Sequence, residues 1–189
     1  MSLGYHPCNA VLTGGRMMQK AITAGAFAIV LAAIGSFAAG GSKMRITSSA
    51  FQEGANIPSK FTCDGADTSP PLQIADFPSG GKSLALIVDD PDAPSGLFTH
   101  WTVWNISPQT STINEGSTPK GVQGTNDFGK SGYGGPCPPS GTHRYYFKIF
   151  ALDRALDLPF GAKRAQLDAA MKGHVVAQGE LMGRYSRKK

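Results

Sequence analysis

The sequence predicts a mainly β domain of the sandwich type with one helix late in the chain. Glycine and proline supply 24 and 13 of the 189 residues without a collagen-like period, which favours many turns between short strands. Segments of strand length recur along the chain, whereas helical spacing occurs once. Hydrophobic residues make up 41% of the chain and charged residues 16%, so one domain has ample core material and the composition is not that of a disordered protein.

Five segments are predicted strands because they are apolar, β-prone or alternating: residues 44–47, 84–88, 100–106, 144–152 and 174–185. The apolar run at residues 84–88 is unbroken, which predicts a central strand buried on both faces. In the segment 100–106, His100, Thr102 and Trp104 alternate on one face. The apolar residues of the other face are out of register, which indicates a bulge or an edge position.

The predicted helix covers residues 162–172. Leu167, Ala170 and Met171 follow i, i+3, i+4 spacing, and Gly173 is placed to end the helix. A glycine-rich stretch from residue 116 to residue 141 has no periodicity and exceeds the length of a passive connector, so we expect an ordered, functional loop.

The segment at residues 21–39 is uncharged, follows Arg16 and Lys20, and ends in small residues, which is the layout of a secretory signal. We expect a leader at residues 1–38, with a translation start at Met17 or Met18 as an alternative, and one exported domain at residues 39–189. The expected location is the periplasm or the medium. The alternative is an uncleaved membrane anchor formed by residues 21–39.

The net charge of +5 is concentrated at the two ends of the chain. The basic residues at these ends are Arg16, Lys20, Arg184, Arg187, Lys188 and Lys189. Without them the body is close to neutral, so nucleic acid is not an expected partner. The basic tail leaves open a weak contact with an anionic membrane surface.

Three cysteines occur, and Cys8 belongs to the expected leader. An oxidising compartment permits a disulfide between Cys63 and Cys137, but the sequence leaves their pairing open. Standard catalytic motifs are missing: Gly81-Lys82-Ser83 lacks the first glycine of a phosphate-binding loop, and neither G-x-S-x-G nor H-E-x-x-H occurs.

Polar residues cluster in three segments: DDPDAP at residues 89–94, HW at 100–101, and GYGGPCPPSGTHRY at 132–145. Taken one at a time, each of these segments has an ordinary interpretation, as a turn or as the site of a structural histidine. With FTCDG at 61–65 and KGHVVAQGEL at 172–181, the combination resembles the phosphatidylethanolamine-binding protein family, in its bacterial, Raf-kinase-inhibitor-like form. The resemblance covers about residues 44–187.

This resemblance implies a large central sheet packed on a smaller sheet, a C-terminal helix, and a small anion pocket at one end. Matched position by position, the implied ligand-binding residues are Asp90, Pro94, His100, Gly135, Pro136, His143 and Tyr145. The implied ligand is a phosphorylated or otherwise anionic small molecule. The segments that bind kinases in eukaryotic members are not recognisable in this chain.

The residues themselves indicate a modest anion site. His143 and Tyr145 point to one face of a strand and Arg144 to the other, so Arg144 is expected to be structural. Backbone N–H groups of Gly134 and Gly135 are expected to face the anion, because glycine permits close approach. Asp90 would repel a fully ionised phosphate, so a zwitterionic or partly protonated ligand is favoured. The expected affinity is weak, roughly 10 μM to millimolar, and rises as the pH falls.

The sequence therefore predicts a non-enzymatic binding protein without cofactor or metal. A regulator or inhibitor that docks on a protein partner through the pocket rim is the alternative. A hydrolase that uses Ser140 or Cys137 with His143 and Asp90 is a third hypothesis, weakened by the lack of a nucleophile elbow. His174 is expected to be structural, and a homodimer stays open.

Overall fold

The computed structural model describes residues 42–187, which form two β-sheets and one α-helix. The elements are β1 (Ser42–Lys43), β2 (Arg45–Thr47), a 3-10 turn (Ser59–Phe61), β3 (Leu72–Ala75), β4 (Ser83–Asp90), β5 (Phe98–Ile106), β6 (Thr112–Ile113), β7 (Val122–Gln123), β8 (Thr142–Leu152), α1 (Arg164–Met171) and β9 (Val175–Ser186). The large sheet has the order β1-β9-β8-β4-β5-β7, and the small sheet has the order β2-β3-β6. The predicted mainly β fold with a late helix is confirmed.

Antiparallel pairing of the four long strands brings four chain positions to one end of the large sheet. β4 ends at Asp90 where β5 begins at Phe98, and β8 begins at Thr142 beside Ser186, where β9 ends. We call this the polar end of the large sheet. The three polar segments singled out from the sequence meet there because β4, β5 and β8 are neighbours.

The large sheet is buried on both faces. Leu84, Leu86 and Val88 of β4 pack toward the small sheet, whereas Ala85 and Ile87 pack toward α1. This alternation explains the unbroken apolar run of β4, because a strand covered on both sides needs apolar residues at every position. The predicted central strand is confirmed.

Two bulges in β5 decide which side chains face the small sheet. Val88 pairs with Trp101 and Asp89 with Thr99, so His100 is an extra residue in β5. The bulge turns His100 toward Tyr145, on the opposite face from Trp104, and the predicted shared face of His100 and Trp104 is wrong.

Helix α1 starts two residues later and ends one residue earlier than predicted, with Leu167 and Met171 buried. Gly173 follows it in a left-handed conformation, φ 81°, as expected for a residue that ends a helix. Arg164 of α1 reaches the fully buried Asp89 of β4, with Nη1 2.9 Å from Oδ2. This ion pair fixes the helix to the strand that carries Asp90.

Sequence periodicity missed the short strands β1, β3, β6 and β7. The predicted strand at residues 44–47 corresponds to β2, which begins one residue later, at Arg45. The buried Met44 joins β2 to β1, which belongs to the other sheet. The predicted leader and Cys8 lie outside the described residues. Within residues 42–187, no helix is long and apolar enough to cross a membrane.

Candidate functional site

Four polar side chains lie together on the small-sheet face at the polar end. β4 supplies Asp90, the bulge of β5 supplies His100, and β8 supplies His143 and Tyr145. All four are buried, with exposed fractions between 0% and 7%. We call these four residues the polar cluster. The structure thus brings together four of the residues implied by the family resemblance.

Both carboxylate oxygens of Asp90 accept hydrogen bonds. Its Oδ2 lies 2.7 Å from Nδ1 of His143, and its Oδ1 accepts the N–H of Asp92 at 2.8 Å. Because an ionised carboxylate only accepts, Nδ1 of His143 carries the proton in this pair. The nitrogen of His143 that is left for a ligand is Nε2.

His100 is oriented by the loop that precedes β8. Its Nδ1 lies 2.7 Å from the carbonyl oxygen of Gly134, so Nδ1 donates and Nε2 is again the second nitrogen. Burial lowers the pKa of His100, and its hydrogen bond to Gly134 and the charge of Asp90 only partly oppose this effect. A neutral His100 is therefore favoured at neutral pH in the absence of a ligand.

Tyr145 supplies a donor that no described residue uses. Its hydroxyl is buried without a hydrogen-bond partner within residues 42–187, which makes it available to a ligand or a water molecule. Burial and then the charge of Asp90 raise the pKa of Tyr145, so the phenol stays protonated. The centroid of the Tyr145 ring lies 5.2 Å from that of His100 and 6.5 Å from that of His143.

Aromatic side chains form one rim of the cluster. The rings of Phe98 and Phe128 lie 5.1 and 5.3 Å from the His100 ring, measured between centroids. Phe128 is 43% exposed and Leu97, the residue before β5, is 53% exposed. The polar cluster is thus bordered by exposed apolar side chains.

The expected contribution of the Gly134 and Gly135 N–H groups to an anion site is wrong. The Gly134 N–H donates to the carbonyl of His100 at 3.0 Å, and the Gly135 N–H donates to Oδ1 of Asp67 at 2.7 Å. A Cβ at Gly135 would lie 2.5 Å from the Phe61 carbonyl oxygen. Glycine is required there because this position lies against the Phe61 and Thr62 backbone.

The segment 61–67 holds the Gly134–Pro136 loop from outside. Cys63 and Cys137 form a disulfide with a Cα–Cα distance of 5.4 Å, which resolves the pairing that the sequence left open. The Cys63 N–H donates to the Pro136 carbonyl, and the Tyr133 hydroxyl donates to the Phe61 carbonyl. Pro136 is buried in this contact. The bridge also consumes the Cys137 thiol, which removes that nucleophile from the hydrolase hypothesis.

The remaining predicted residues lie at the edge of the site or away from it. Arg144 pairs with Asp92 through two hydrogen bonds of 2.8 and 2.6 Å, which lower the pKa of Asp92 to about 2. Pro94 and Ser140 are exposed in turns. His174 lies 3.0 Å from Asp153, which follows the far end of β8.

A groove of about 1280 Å³ lies along β2 and the first half of β9, and none of its lining residues belongs to the polar cluster. Within residues 42–187, no three potential metal ligands lie close enough to hold an ion. The absence of a metal stays a prediction of the sequence.

Replacing Gly135 with alanine is expected to displace the loop and to lower the free energy of unfolding by about 1–3 kcal/mol. The new Cβ would contact the backbone of Phe61 and Thr62 at 2.5 and 2.8 Å, so the loop or its neighbour must move. Urea unfolding measures the change. Gly80→Ala is the control, because its Cβ meets open space. Equal stability of the Gly135→Ala variant and the original protein would contradict this close contact.

Two packed sheets, a late helix and a buried Asp-His-His-Tyr cluster at one sheet end define a class of small β-sandwich domains. The family model described as phosphatidylethanolamine-binding protein matches residues 47–186, and the chain belongs to this family. A UPF0098 protein of Pyrococcus horikoshii is 48% identical over 171 residues, which are 85% of this chain and 86% of that protein.

Two solved structures share the fold. A phosphatidylethanolamine-binding protein homologue of Chlamydia trachomatis has a TM-score of 0.75 and 47% identity, and the match covers 78% of this chain and 99% of that chain. YbcL of E. coli, described as a member of the mammalian family, has a TM-score of 0.73 and 32% identity, over 78% and 100% of the two chains. The expected family membership and fold are confirmed.

Proposed function

We propose that the protein is a non-enzymatic binding protein for small phosphoryl or other anionic ligands that carry one net negative charge or are zwitterionic. The observation that carries the proposal is a cluster of two buried histidines and one buried carboxylate, in which Asp90 pairs with His143. Both imidazoles are held through Nδ1, which leaves Nε2 of each ring and the Tyr145 hydroxyl for a ligand.

The charge of the polar cluster depends on its protonation. With both imidazoles neutral, Asp90 gives the cluster a charge of −1, which repels an anion. One proton makes the cluster neutral and two make it cationic. Arg144, the nearest guanidinium on β8, is committed to Asp92. An anion therefore has to arrive with a proton or draw one onto a histidine.

The charges of the polar cluster favour a singly charged head group over a dianion. A protonated Nε2 and the Tyr145 hydroxyl donate to ligand oxygens, and these hydrogen bonds are strengthened by the low local dielectric. The second charge of a dianion would meet Asp90 without a matching cation. We expect weak affinity, roughly 10 μM to millimolar. We place the protein in the periplasm or the medium, where its disulfide is stable.

Binding of phosphorylethanolamine is expected to be coupled to proton uptake. Burial lowers the pKa of His100, so the ring is neutral above that value, and an anion that brings no proton of its own has to draw one onto this ring. Affinity should increase as the pH falls from about 8 to about 5.5 and then level off below the pKa of His100. Calorimetry in buffers of different ionisation enthalpy should detect about one proton per ligand at pH 8. Equal affinity at both pH values with no proton uptake would contradict the proposal.

A second candidate function is a regulator that docks on a protein partner through the pocket rim. The observation in its favour is the exposed apolar pair Leu97 and Phe128 beside the polar cluster. A partner captured by the original protein and lost when the pocket histidines are replaced would favour this function. In this second function, the polar cluster would bind an anionic side chain of the partner.

A further inference from the structure

One peptide group joins an acidic side chain of the 61–67 segment to a histidine of the polar cluster. The peptide between Gly134 and Gly135 donates its N–H to Oδ1 of Asp67 at 2.7 Å. The carbonyl oxygen of the same peptide accepts Nδ1–H of His100, also at 2.7 Å. Asp67 and His100 are therefore connected by two hydrogen bonds in series through one amide plane.

Such a series changes the strength of both bonds. A carboxylate at the N–H polarises the amide and makes its carbonyl oxygen a better acceptor. A better acceptor at Nδ1 holds the His100 proton on Nδ1, keeps Nε2 directed to the ligand, and stabilises the ring when Nε2 gains a second proton. Asp90 holds the proton on Nδ1 of His143 in the same way, through a direct hydrogen bond.

The surrounding structure is arranged to keep Asp67 in this position. Asp67 has a left-handed backbone, φ 53°, which an aspartate adopts at some cost. The missing Cβ at Gly135 admits the carboxylate, because a Cβ would lie 2.5 Å from Oδ1 of Asp67. Rotation of the Gly134–Gly135 peptide would break both of its hydrogen bonds. The preceding peptide is also anchored, because the Gly134 N–H donates to the His100 carbonyl at 3.0 Å.

We infer that Asp67 is a positioning residue for His100 and acts through the Gly134–Gly135 peptide. Each pocket histidine then has its own carboxylate: Asp90 for His143 directly, and Asp67 for His100 through the amide. This inference deepens the proposed binding function and rests on it. The predicted consequence is that an exposed residue outside the pocket sets the tautomer and protonation of a buried ligand-binding histidine.

Other ionisable groups also face His100 and must be held constant in a test. Asp90 and Asp89 of β4 act on it through their charges, and both favour the protonated ring. Tyr145 and, beyond it, His143 lie on the β8 side. A change at Asp67 leaves all four of these residues in place, so a response of His100 is assigned to Asp67.

The test compares Asp67→Asn and Asp67→Ala with Asp76→Asn in the purified protein. Asp76 is a matched control because it is exposed, has φ 62°, and pairs with Arg45 in the small sheet. Heteronuclear NMR of the imidazole nitrogens gives the tautomer of His100 and the pH midpoint of its protonation without any ligand. Titration with phosphorylethanolamine then gives the affinity.

We expect Asp67→Asn to keep the Nδ1–H tautomer, because the amide oxygen still accepts, and to move the midpoint of His100 to lower pH. Asp67→Ala should also mix the tautomers and reduce affinity about tenfold, the value of one lost hydrogen bond of about 1.4 kcal/mol. Asp76→Asn should leave the tautomer and the midpoint of His100, and the affinity for phosphorylethanolamine, unchanged. Asp67→Asn preserves the shape of the side chain, so the test does not depend on the folding of the alanine variant.

An unchanged midpoint of His100 in Asp67→Asn would overturn the inference, as would an equal shift in Asp76→Asn. The two proposals fail separately. If the original protein does not bind phosphorylethanolamine but His100 responds to Asp67→Asn, the proposed function is wrong and the connection through the peptide stands. If the original protein binds phosphorylethanolamine but His100 does not respond to Asp67→Asn, the proposed function stands and the connection through the peptide is wrong.

Discussion

Replacing both pocket histidines with asparagine is expected to lower the affinity for phosphorylethanolamine about 100-fold or more, which removes measurable binding. Asparagine keeps a donor close to the position of Nδ1, so the contacts with Asp90 and with the Gly134 carbonyl can persist while Nε2 is deleted. Two hydrogen bonds to a charged ligand are worth about 1.5–3 kcal/mol each, and every 1.4 kcal/mol is a factor of about ten.

The matched control for this double variant is His174→Asn. His174 also contacts an aspartate through Nδ1, at 3.0 Å from Asp153, but it lies outside the polar cluster. The control should bind with unchanged affinity, and thermal unfolding should show that the double variant is folded. Binding that survives in a folded double variant would contradict the assignment of the site.

Removing the disulfide is expected to lower the free energy of unfolding by about 4 kcal/mol, because a bridge across a long loop restricts the unfolded chain. Cys63 and Cys137 are 74 residues apart, which is a long loop. For a domain of this size the change corresponds to a fall in Tm of about 10 °C. Urea unfolding of the Cys63→Ala, Cys137→Ala double variant measures the change in the free energy of unfolding.

A reductant provides the control for the disulfide prediction. It should destabilise the original protein and leave the double alanine variant unchanged. Because the bridge ties Cys63 to the loop that holds His100, the variant should also bind phosphorylethanolamine more weakly, with the loss largest near its own Tm. A loss of less than about 1 kcal/mol in the variant would contradict the stabilising role.

Local sequence pattern was sufficient for the long strands and for part of the site. The unbroken run in β4 identifies a strand covered on both faces, and alternation in β8 places His143 and Tyr145 on one face with Arg144 on the other. Burial of His143 and Tyr145 and the exposed ion pair of Arg144 with Asp92 follow from that alternation.

Other features depend on partners that are distant in sequence. The bulge at His100 is set by the register of β5 against β4, so simple alternation puts the ring on the wrong face. β3, β6 and β7 have between two and four residues, which is too short for a period to be recognised. The small sheet was implied only by the family resemblance.

Asp67 was missed for the same reason. Its partner, the Gly135 N–H, is 68 residues away, and an aspartate in a turn-rich segment has the ordinary interpretation of a turn residue. Gly135 was singled out as a ligand-binding residue, and its contact with the backbone of Phe61 and Thr62 was not predicted, because these residues are distant in sequence. The signal available in the sequence was the family motif that precedes Asp67.

The most direct test of the pocket is an NMR titration of the purified protein with phosphorylethanolamine, which follows the Nε2 signals of His100 and His143. We expect saturable shifts of both signals toward the protonated form, larger at pH 6 than at pH 8, with the His174 signals unchanged. No shift of either pocket histidine at millimolar ligand and pH 6 would contradict the binding of phosphoryl head groups at this site.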